Sequence, residues 1–458
     1  MPSARPSGRH ATSPEALFAS HLSTVCARTA QALSQSGLGG LLVHSGALLT
    51  VFEDDRTYPF EANAPFKVWA PINDAPDSFV WFEPGSPPRL VLHQPRDYWY
   101  KSVDLPKSYW VRHFDVRAAP DRTKARAELP RDLSRAAYIG DVFPELAGWG
   151  VGAVNLRPLM QRLDYARATK TPYEIACLRE ANRLGARGHQ AAARAFRSGS
   201  SEFEIELAFL EACGLREQDL PYNPIIALNS HGAVLHYQVL EHAPPPESHS
   251  LLIDAGAEFA GYASDITRTH SRADGDFRAL IARMDRLQQT LCASVRAGVD
   301  WRDVHLKAHE LTAELLADAD IIRCDAEEAL ARGVTGVFLP HGIGHLLGLE
   351  VHDVGGFMRS AEGGEISRPD GHPYLRLTRH LEDGFVVTME PGIYFIEQLL
   401  ESARADARAR CINWKRVGQL KKFGGIRIED DLAITEEGCE NLTRDAFRSL
   451  ASAKRKAH

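Results

Sequence analysis

Apolar residues recur at Phe18, Leu22, Val25, Cys26 and Leu33 with polar residues between them. That helical period predicts an amphipathic helix from Pro14 to about Ser36, with Thr29 as a polar interruption on its apolar face. Short apolar runs bounded by turn residues follow at 40–43, 78–82, 89–92 and 137–140, and these predict strands of a mixed sheet. From Tyr173 the helical period returns through Ile175, Leu178, Ala181 and Leu184. Ser201, with Glu204 three residues on, reads as a capping box that opens a second helix. Beyond it, strands at 251–255 and 385–389 alternate with helices at 276–297 and 304–317. The change of character between Asp164 and Pro172 divides the chain. A loosely attached tail (1–13) precedes an α/β domain (14–165) and a larger α+β domain (166–458).

Composition narrows the function. The 53 basic and 60 acidic residues leave a net charge of -7, too acidic a balance for a general nucleic-acid surface. The local basic clusters, 415–422 and 454–456, read as solvated surface. Seven cysteines with no Cys-x-x-Cys pair suggest free thiols in a reducing compartment. The first residues lack an apolar core of signal-peptide length, and nothing approaches a membrane-spanning apolar run. A cytoplasmic location is therefore expected, with no nucleic-acid or membrane partner. Trp69, Trp81, Trp99 and Trp110, four of the seven tryptophans, fall within 66–110 and suggest a rim or interface.

There is no G-x-S-x-G elbow, Walker-type lysine loop or paired-glycine fingerprint after a strand. His309-Glu310 opens like a zincin motif but lacks a histidine four residues later, and is expected on a helix surface. What remains is a set of charged residues embedded in apolar strands, a costly placement unless the charges are paired or bind metal. Asp254 ends the run 251–253, and Asp265 follows a glycine-containing reversal at Gly261. Two antiparallel strands joined this way can set both carboxylates side by side, although strand-end aspartates also cap turns. His341 and His345 lie in a glycine-rich stretch, Glu390 follows the run 385–387 just before Pro391, and Glu429 shares a strand face with Arg427. Four carboxylates and one imidazole make an oxygen-rich shell suited to Mn²⁺, Co²⁺ or Zn²⁺, and too charged for one ion. Two ions bridged by carboxylates and a hydroxide would balance it.

Five segments in order carry a resemblance: Asp254-Ala255-Gly256, Ser264-Asp265-Ile266-Thr267, His341-Gly342-Ile343-Gly344-His345, Glu390-Pro391-Gly392 and Gly425-Ile426-Arg427-Ile428-Glu429-Asp430. Together they resemble the pita-bread metallopeptidases of family M24, over about 165–443. Pro221-Tyr222-Asn223-Pro224 and His345 to Asp353 make bacterial prolidases, the Xaa-Pro dipeptidases, the most similar subgroup. The resemblance implies a pita-bread catalytic domain behind a creatinase-type α/β N-terminal domain, usually in a homodimer. It implies cleavage of dipeptides ending in proline, with organophosphate hydrolysis as a side activity. Asp254, Asp265, His345, Glu390 and Glu429 would ligate two Mn-type ions, Asp265 and Glu429 bridging, with Glu390 also the general base. His236 would stabilise the tetrahedral intermediate or protonate the leaving nitrogen, and His352 would touch the scissile carbonyl or the proline end. Arg379 would hold the substrate carboxylate, Arg427 and Thr267 would steady the ligand carboxylates, and Tyr222, Trp99, Trp301 and His341 would line the pocket. Trp301 and Leu346 stand where the family more often has tyrosine and proline. The alternatives are an aminopeptidase P acting on longer Xaa-Pro peptides and, less favoured, a pita-bread module without catalysis.

Overall fold

The computed structural model describes residues 13–456 apart from 100, 102, 103 and 105. The tail expected over 1–13 lies, except for Ser13, outside the described residues, as do the side chains of the basic cluster at 454–456. The chain divides into two compact units, Met1–Leu163 with Thr171–Cys177, and Asp164–Lys170 with Leu178–His458.

The first unit is built on a six-stranded mixed sheet. Its strands are β1 (Gly40–His44), β2 (Phe79–Phe82), β3 (Arg89–His93), β4 (Asp115–Ala119), β5 (Ala136–Ile139) and β6 (Ala153–Val154). Their order is β4-β3-β2-β1-β5-β6, antiparallel from β1 through β3 and parallel at both flanks. Helix Pro14–Gln35 precedes it and buries Phe18, Leu22, Val25 and Leu33. Thr29 is buried on that face as well, where a polar interruption was expected. The tryptophan-rich stretch is mostly core, not rim. Trp69, Trp81 and Trp110 are buried, with Trp69 packed on Phe82, and only Trp99 is exposed. Large rings fill a sheet face efficiently, and in a unit this small the core is where most of them fit.

The second unit carries the α+β pattern. Helix Glu202–Cys213 opens with a capping box in which Ser201 and Glu204 each bond the other's backbone amide. Strands β7 (Ile225–Leu228), β8 (Ser250–Asp254) and β11 (Thr267–Ser271) form one antiparallel sheet. Between β8 and β11 the chain makes a small hairpin, β9 (Glu258–Phe259) and β10 (Tyr262–Ala263), whose turn holds Gly261 at φ 87°. A second hairpin, β12 (Met358–Ser360) with β13 (Gly363–Glu365), lies at the surface. Strand β14 (Val386–Met389) pairs with β17 (Asp430–Ile434), which pairs with β18 (Cys439–Asn441), while β15 (Gly392–Tyr394) pairs with β16 (Gly425–Arg427). A bridge between Thr267 and Glu429 links the two groups of strands. Helices Asp276–Ser294 and Trp301–Asp318 supply Leu280, Met284, Leu287, Val304, Leu315 and Leu316 to one large core with Val387, Ile426 and Leu432.

Backbone proximity fixes the hairpin between the aspartates. A Cβ at Gly256 would stand 1.9 Å from the carbonyl oxygen of Ser264 and 2.8 Å from the Tyr222 ring, so no side chain fits. Gly256→Ala is expected to cost about 3 kcal/mol, the upper range for overpacking, and to lower the urea midpoint of the protein.

Candidate metal centre

Strand register brings the ligand candidates together. Asp254 closes β8 opposite Thr267, and Asp265 lies two residues before β11, in the link from β10 and not on the strand. Glu429 falls between β16 and β17, where the chain leaves one partner for another and bridges to Thr267. Glu390 leaves β14 just before Pro391, and its amide bonds the carbonyl of Ile343, 2.9 Å away. His345 is tied to the same strand, with Thr388 N–H donating to its carbonyl at 3.0 Å and its own N–H donating to Thr388 Oγ1 at 3.2 Å. A Cβ at Gly344 would meet the Thr388 carbonyl at 2.2 Å, so glycine permits this approach.

Asp265, His345 and Glu429 are buried, with donor atoms within 4.8 Å of one another. His345 Nε2 stands 3.3 Å from Asp265 and 3.9 Å from Glu390. Its Nδ1–H donates to the Leu346 carbonyl at 3.0 Å, which directs the Nε2 lone pair at the carboxylates. The electrostatics are those of crowded acids. Burial, Asp265 and Glu390 push Glu429 well above the usual carboxylate range. Burial raises Asp254 against the pull of Arg427, and raises Glu390 to about 7 despite His345 and Arg427. For Asp265, burial is outweighed by the hydrogen bond and charge of His345, and its carboxyl titrates low. Such a set is expensive without positive charge, and its oxygen-rich, one-imidazole composition fits a pair of divalent cations.

Neutral and cationic donors hold the carboxylates from behind. Tyr222 OH lies 2.8 Å from Asp254 and 2.7 Å from Asp265. Thr267 Oγ1 donates to Glu429 at 2.6 Å, and Arg427 reaches Asp254 at 2.5 Å, Thr267 at 3.1 Å and Tyr394 OH at 2.8 Å. Tyr222, expected at the pocket wall, thus cross-links two ligand candidates. Sequence reading missed Tyr394, whose OH also meets His341 Nε2 at 2.8 Å; its place two residues after the Glu390-Pro391-Gly392 motif was the available signal. It missed Asp430 and Asp431 too. Asp430 accepts from Arg268, Arg444, Gln288 and Asn441, and Asp431 accepts from Asn182 and from the Asp265 amide at 3.0 Å.

Three histidines stand around the centre. His352 packs edge-on against His345, ring centroids 4.4 Å apart, and burial with the charges of His345 and Arg376 lowers it to about 4. His341 lies 3.6 Å from Glu390 and is lowered to about 3 by burial and Arg427. His236 is exposed in a turn, and its charge acts on both His341 and His352. The segment carrying His352 is anchored by buried Asp353, paired with Arg167 at 2.6 Å and Lys170 at 3.0 Å.

Other expectations fail on burial. Arg379 is buried, bonded to Glu382 and the Gly355 carbonyl and stacked over Tyr165 at 3.9 Å, so its guanidinium is consumed within the fold. Trp301 is fully buried beneath Gly344 in the main core, where it packs instead of lining open space. Trp99 is exposed on the first unit beside Tyr98. His309 is buried, while its neighbour Glu310 is exposed and pairs with Lys307.

Residues 16–165 match the family model for the N-terminal domain of Xaa-Pro dipeptidases, and residues 176–436 match metallopeptidase family M24. A curated relative from Stenotrophomonas maltophilia (strain K279a), named Xaa-Pro dipeptidase, is 47% identical over 435 residues, 95% of this chain and 98% of its own. Another of that name, from Xanthomonas axonopodis pv. citri (strain 306), is 47% identical over 432 residues, 94% of this chain and 98% of its own. Among solved structures, E. coli aminopeptidase P with the inhibitor Pro-Leu matches at TM-score 0.70 and 24% identity, over 95% of this chain and 99% of that one. Pseudomonas aeruginosa aminopeptidase PepP matches at TM-score 0.69 and 21% identity, over 95% and 99%. At these identities the solved structures show a shared fold, the pita-bread fold.

Glu390 and Glu429 have folded pKa values above their unfolded ones. Their contribution to stability is therefore present below about 4.5 and is lost as pH rises, through about 7 for Glu390. Metal-stripped protein is expected to melt lower at about pH 8 than at about pH 6, with the gain on adding Mn²⁺ larger at the higher pH. Stripped Glu429→Gln should melt about 2–4 °C above stripped wild type at about pH 8 while losing bound metal, checked by calorimetry and metal analysis.

Proposed function

This chain belongs to metallopeptidase family M24, and from that premise we propose that it is an Xaa-Pro dipeptidase, hydrolysing the bond before a C-terminal proline. The observation that carries the reading is the convergence of four carboxylates and His345 on one buried volume, in a chain 47% identical along its length to proteins of that name. Asp254, Asp265, His345, Glu390 and Glu429 would hold two divalent ions, and Mn²⁺ suits so oxygen-rich a set. Those ions supply Lewis acidity toward a carbonyl and make water acidic near neutral pH.

The residues around them divide the remaining work. Glu390, 3.6 Å from His341 and 3.9 Å from His345, is the carboxylate we assign to take a proton and give it back. His352, neutral at pH 7, can donate a hydrogen bond to the scissile carbonyl, and we assign to His236, whose charge is felt at both His341 and His352, the proton passed to the leaving nitrogen. That nitrogen belongs to proline and has no N–H, so backbone pairing cannot hold it and side chains must.

Because Arg379 is committed elsewhere, we assign the substrate carboxylate to Arg376. It is exposed, its charge is felt at His352, and its backbone lies against Gly342. A guanidinium paired with a carboxylate at the proline end would make chain length part of recognition. The wider reading is a homodimer in the cytosol. The seven cysteines, none in a disulfide among the described residues, suit a reducing compartment, and exposed Tyr98 and Trp99 offer the first unit's contact surface.

Stripped protein reloaded with Mn²⁺ is expected to cleave Ala-Pro and leave Ala-Pro-Ala intact, with the products followed by chromatography. Cleavage of the tripeptide would move the reading to aminopeptidase P, and cleavage of neither would overturn it. Arg376→Ala is expected to raise KM for Ala-Pro about 10-fold or more, the worth of one charged hydrogen bond, with kcat changed little. Arg379→Ala should instead lower the melting temperature.

A further inference from the structure

Away from the carboxylates, His305 and His309 sit one turn apart on helix Trp301–Asp318, and His372 comes to them from the loop after β13. All three ring centroids lie within 4.8 Å of one another, and His305 Nε2 is 2.9 Å from His372 Nδ1. His305 and His309 are buried, at 1% and 4% exposure. His309 Nδ1 meets Thr335 Oγ1 at 2.9 Å, and its Nε2, like His305 Nδ1, is a buried nitrogen with no hydrogen-bond partner. Leaving such atoms unmatched is costly, and three imidazoles confined together offer one another few donors.

We propose that His305, His309 and His372 form a further metal site, selective for Zn²⁺ and similar nitrogen-seeking cations, that fastens the loop carrying His372 to the helix. Three observations support it. The donor nitrogens of the three residues lie within 4.8 Å of one another, and a tetrahedral ion with bonds of about 2.0 Å needs them at about 3.3 Å, between the 2.9 Å of His305 Nε2 to His372 Nδ1 and that outer limit. The hydrogen bond between His309 Nδ1 and Thr335 Oγ1 orients the ring, and in the tautomer where Thr335 accepts from Nδ1–H the Nε2 lone pair is left for an ion. His305 and His309 are almost fully buried, and His305 Nε2 already faces His372 Nδ1 at 2.9 Å, so the fold holds the three rings together. All-imidazole ligation disfavours Mn²⁺ relative to Zn²⁺, Ni²⁺ or Cu²⁺, so the site differs in preference from the carboxylate centre.

The placement gives the ion a consequence. The same loop continues from His372 into Tyr374, Leu375 and Arg376, and its backbone lies against Gly342, which follows His341. A metal bond at His372 would hold Arg376 relative to the helix, tying the proposed carboxylate contact to metal supply.

The inference stands apart from the dipeptidase reading and is tested without activity. Crystals of the full protein grown with Zn²⁺ are expected to show, at the zinc absorption edge, an anomalous peak between the three imidazoles in addition to those at the carboxylates. Metal analysis after gel filtration should find one equivalent of Zn²⁺ fewer per chain in His372→Asn than in wild type. Glu429→Gln should keep that equivalent. His372 is on a half-buried loop, so its variant is expected to fold, verified by circular dichroism. Zinc at the carboxylates with none between the histidines, or equal zinc content in folded His372→Asn and wild type, would overturn the proposal.

Discussion

Like-charge repulsion inside a low-dielectric pocket is the constraint that the second unit is organised around. Asp254, Asp265, Glu390 and Glu429 arrive from four separate segments at one place, and burial alone raises the cost of ionising each of them. Arg427 and His345 bring positive charge into the set, while Tyr222 and Thr267 bring neutral donors. These partners fix where each oxygen points but do not cancel the excess charge. What is left over is the attraction that a pair of divalent cations would satisfy, so the geometry that looks unstable as protein is favourable as a metal site.

The same surroundings sort the acid–base groups. Glu390 is raised toward neutrality by burial, with Asp265 and Asp254 adding to it, whereas desolvation and neighbouring cationic groups lower His352 and His341. Two residue types are thereby moved to roles opposite to their ordinary ones: a carboxyl that can carry a proton at pH 7, and imidazoles that do not. Behind the site, Asp430 and Asp431 are fully buried: Asp430 pairs with Arg268 and Arg444 and accepts from Gln288 and Asn441, and Asp431 accepts from Asn182. Asp431 also receives the Asp265 amide, so the ligand loop is pinned by a carboxylate outside the metal set.

Much of this was legible in the chain itself. Alternating and helical periods located β1, β2, β3, β5, β8, β14 and the longer helices of both units, because those periods record which side faces the core, while β4, β6 and the shorter strands of the second unit went unread. The metal candidates stood out because a carboxylate at the end of an apolar strand has no bland explanation when it occurs four times. The capping box at Ser201 and Glu204 is likewise a local interaction, complete within four residues, and formed as read.

What the chain could not determine is where each long cationic or aromatic side chain ends. Arg379 and Arg376 differ by three positions in one loop, yet the first is locked against Tyr165 and Glu382 while the second is open to solvent. Trp301 and His309 lie on a helix whose inner face is set by distant strands, so their burial depends on packing partners as remote in sequence as Leu432. His372 meets His305 only because a loop folds back across the helix. Local sequence determines periodicity, turns and the residues that cannot be left unpaired, since those are short-range steric and solvation effects. Which pairing satisfies each of them is decided by contacts between segments remote in sequence, and only the tertiary structure contains those.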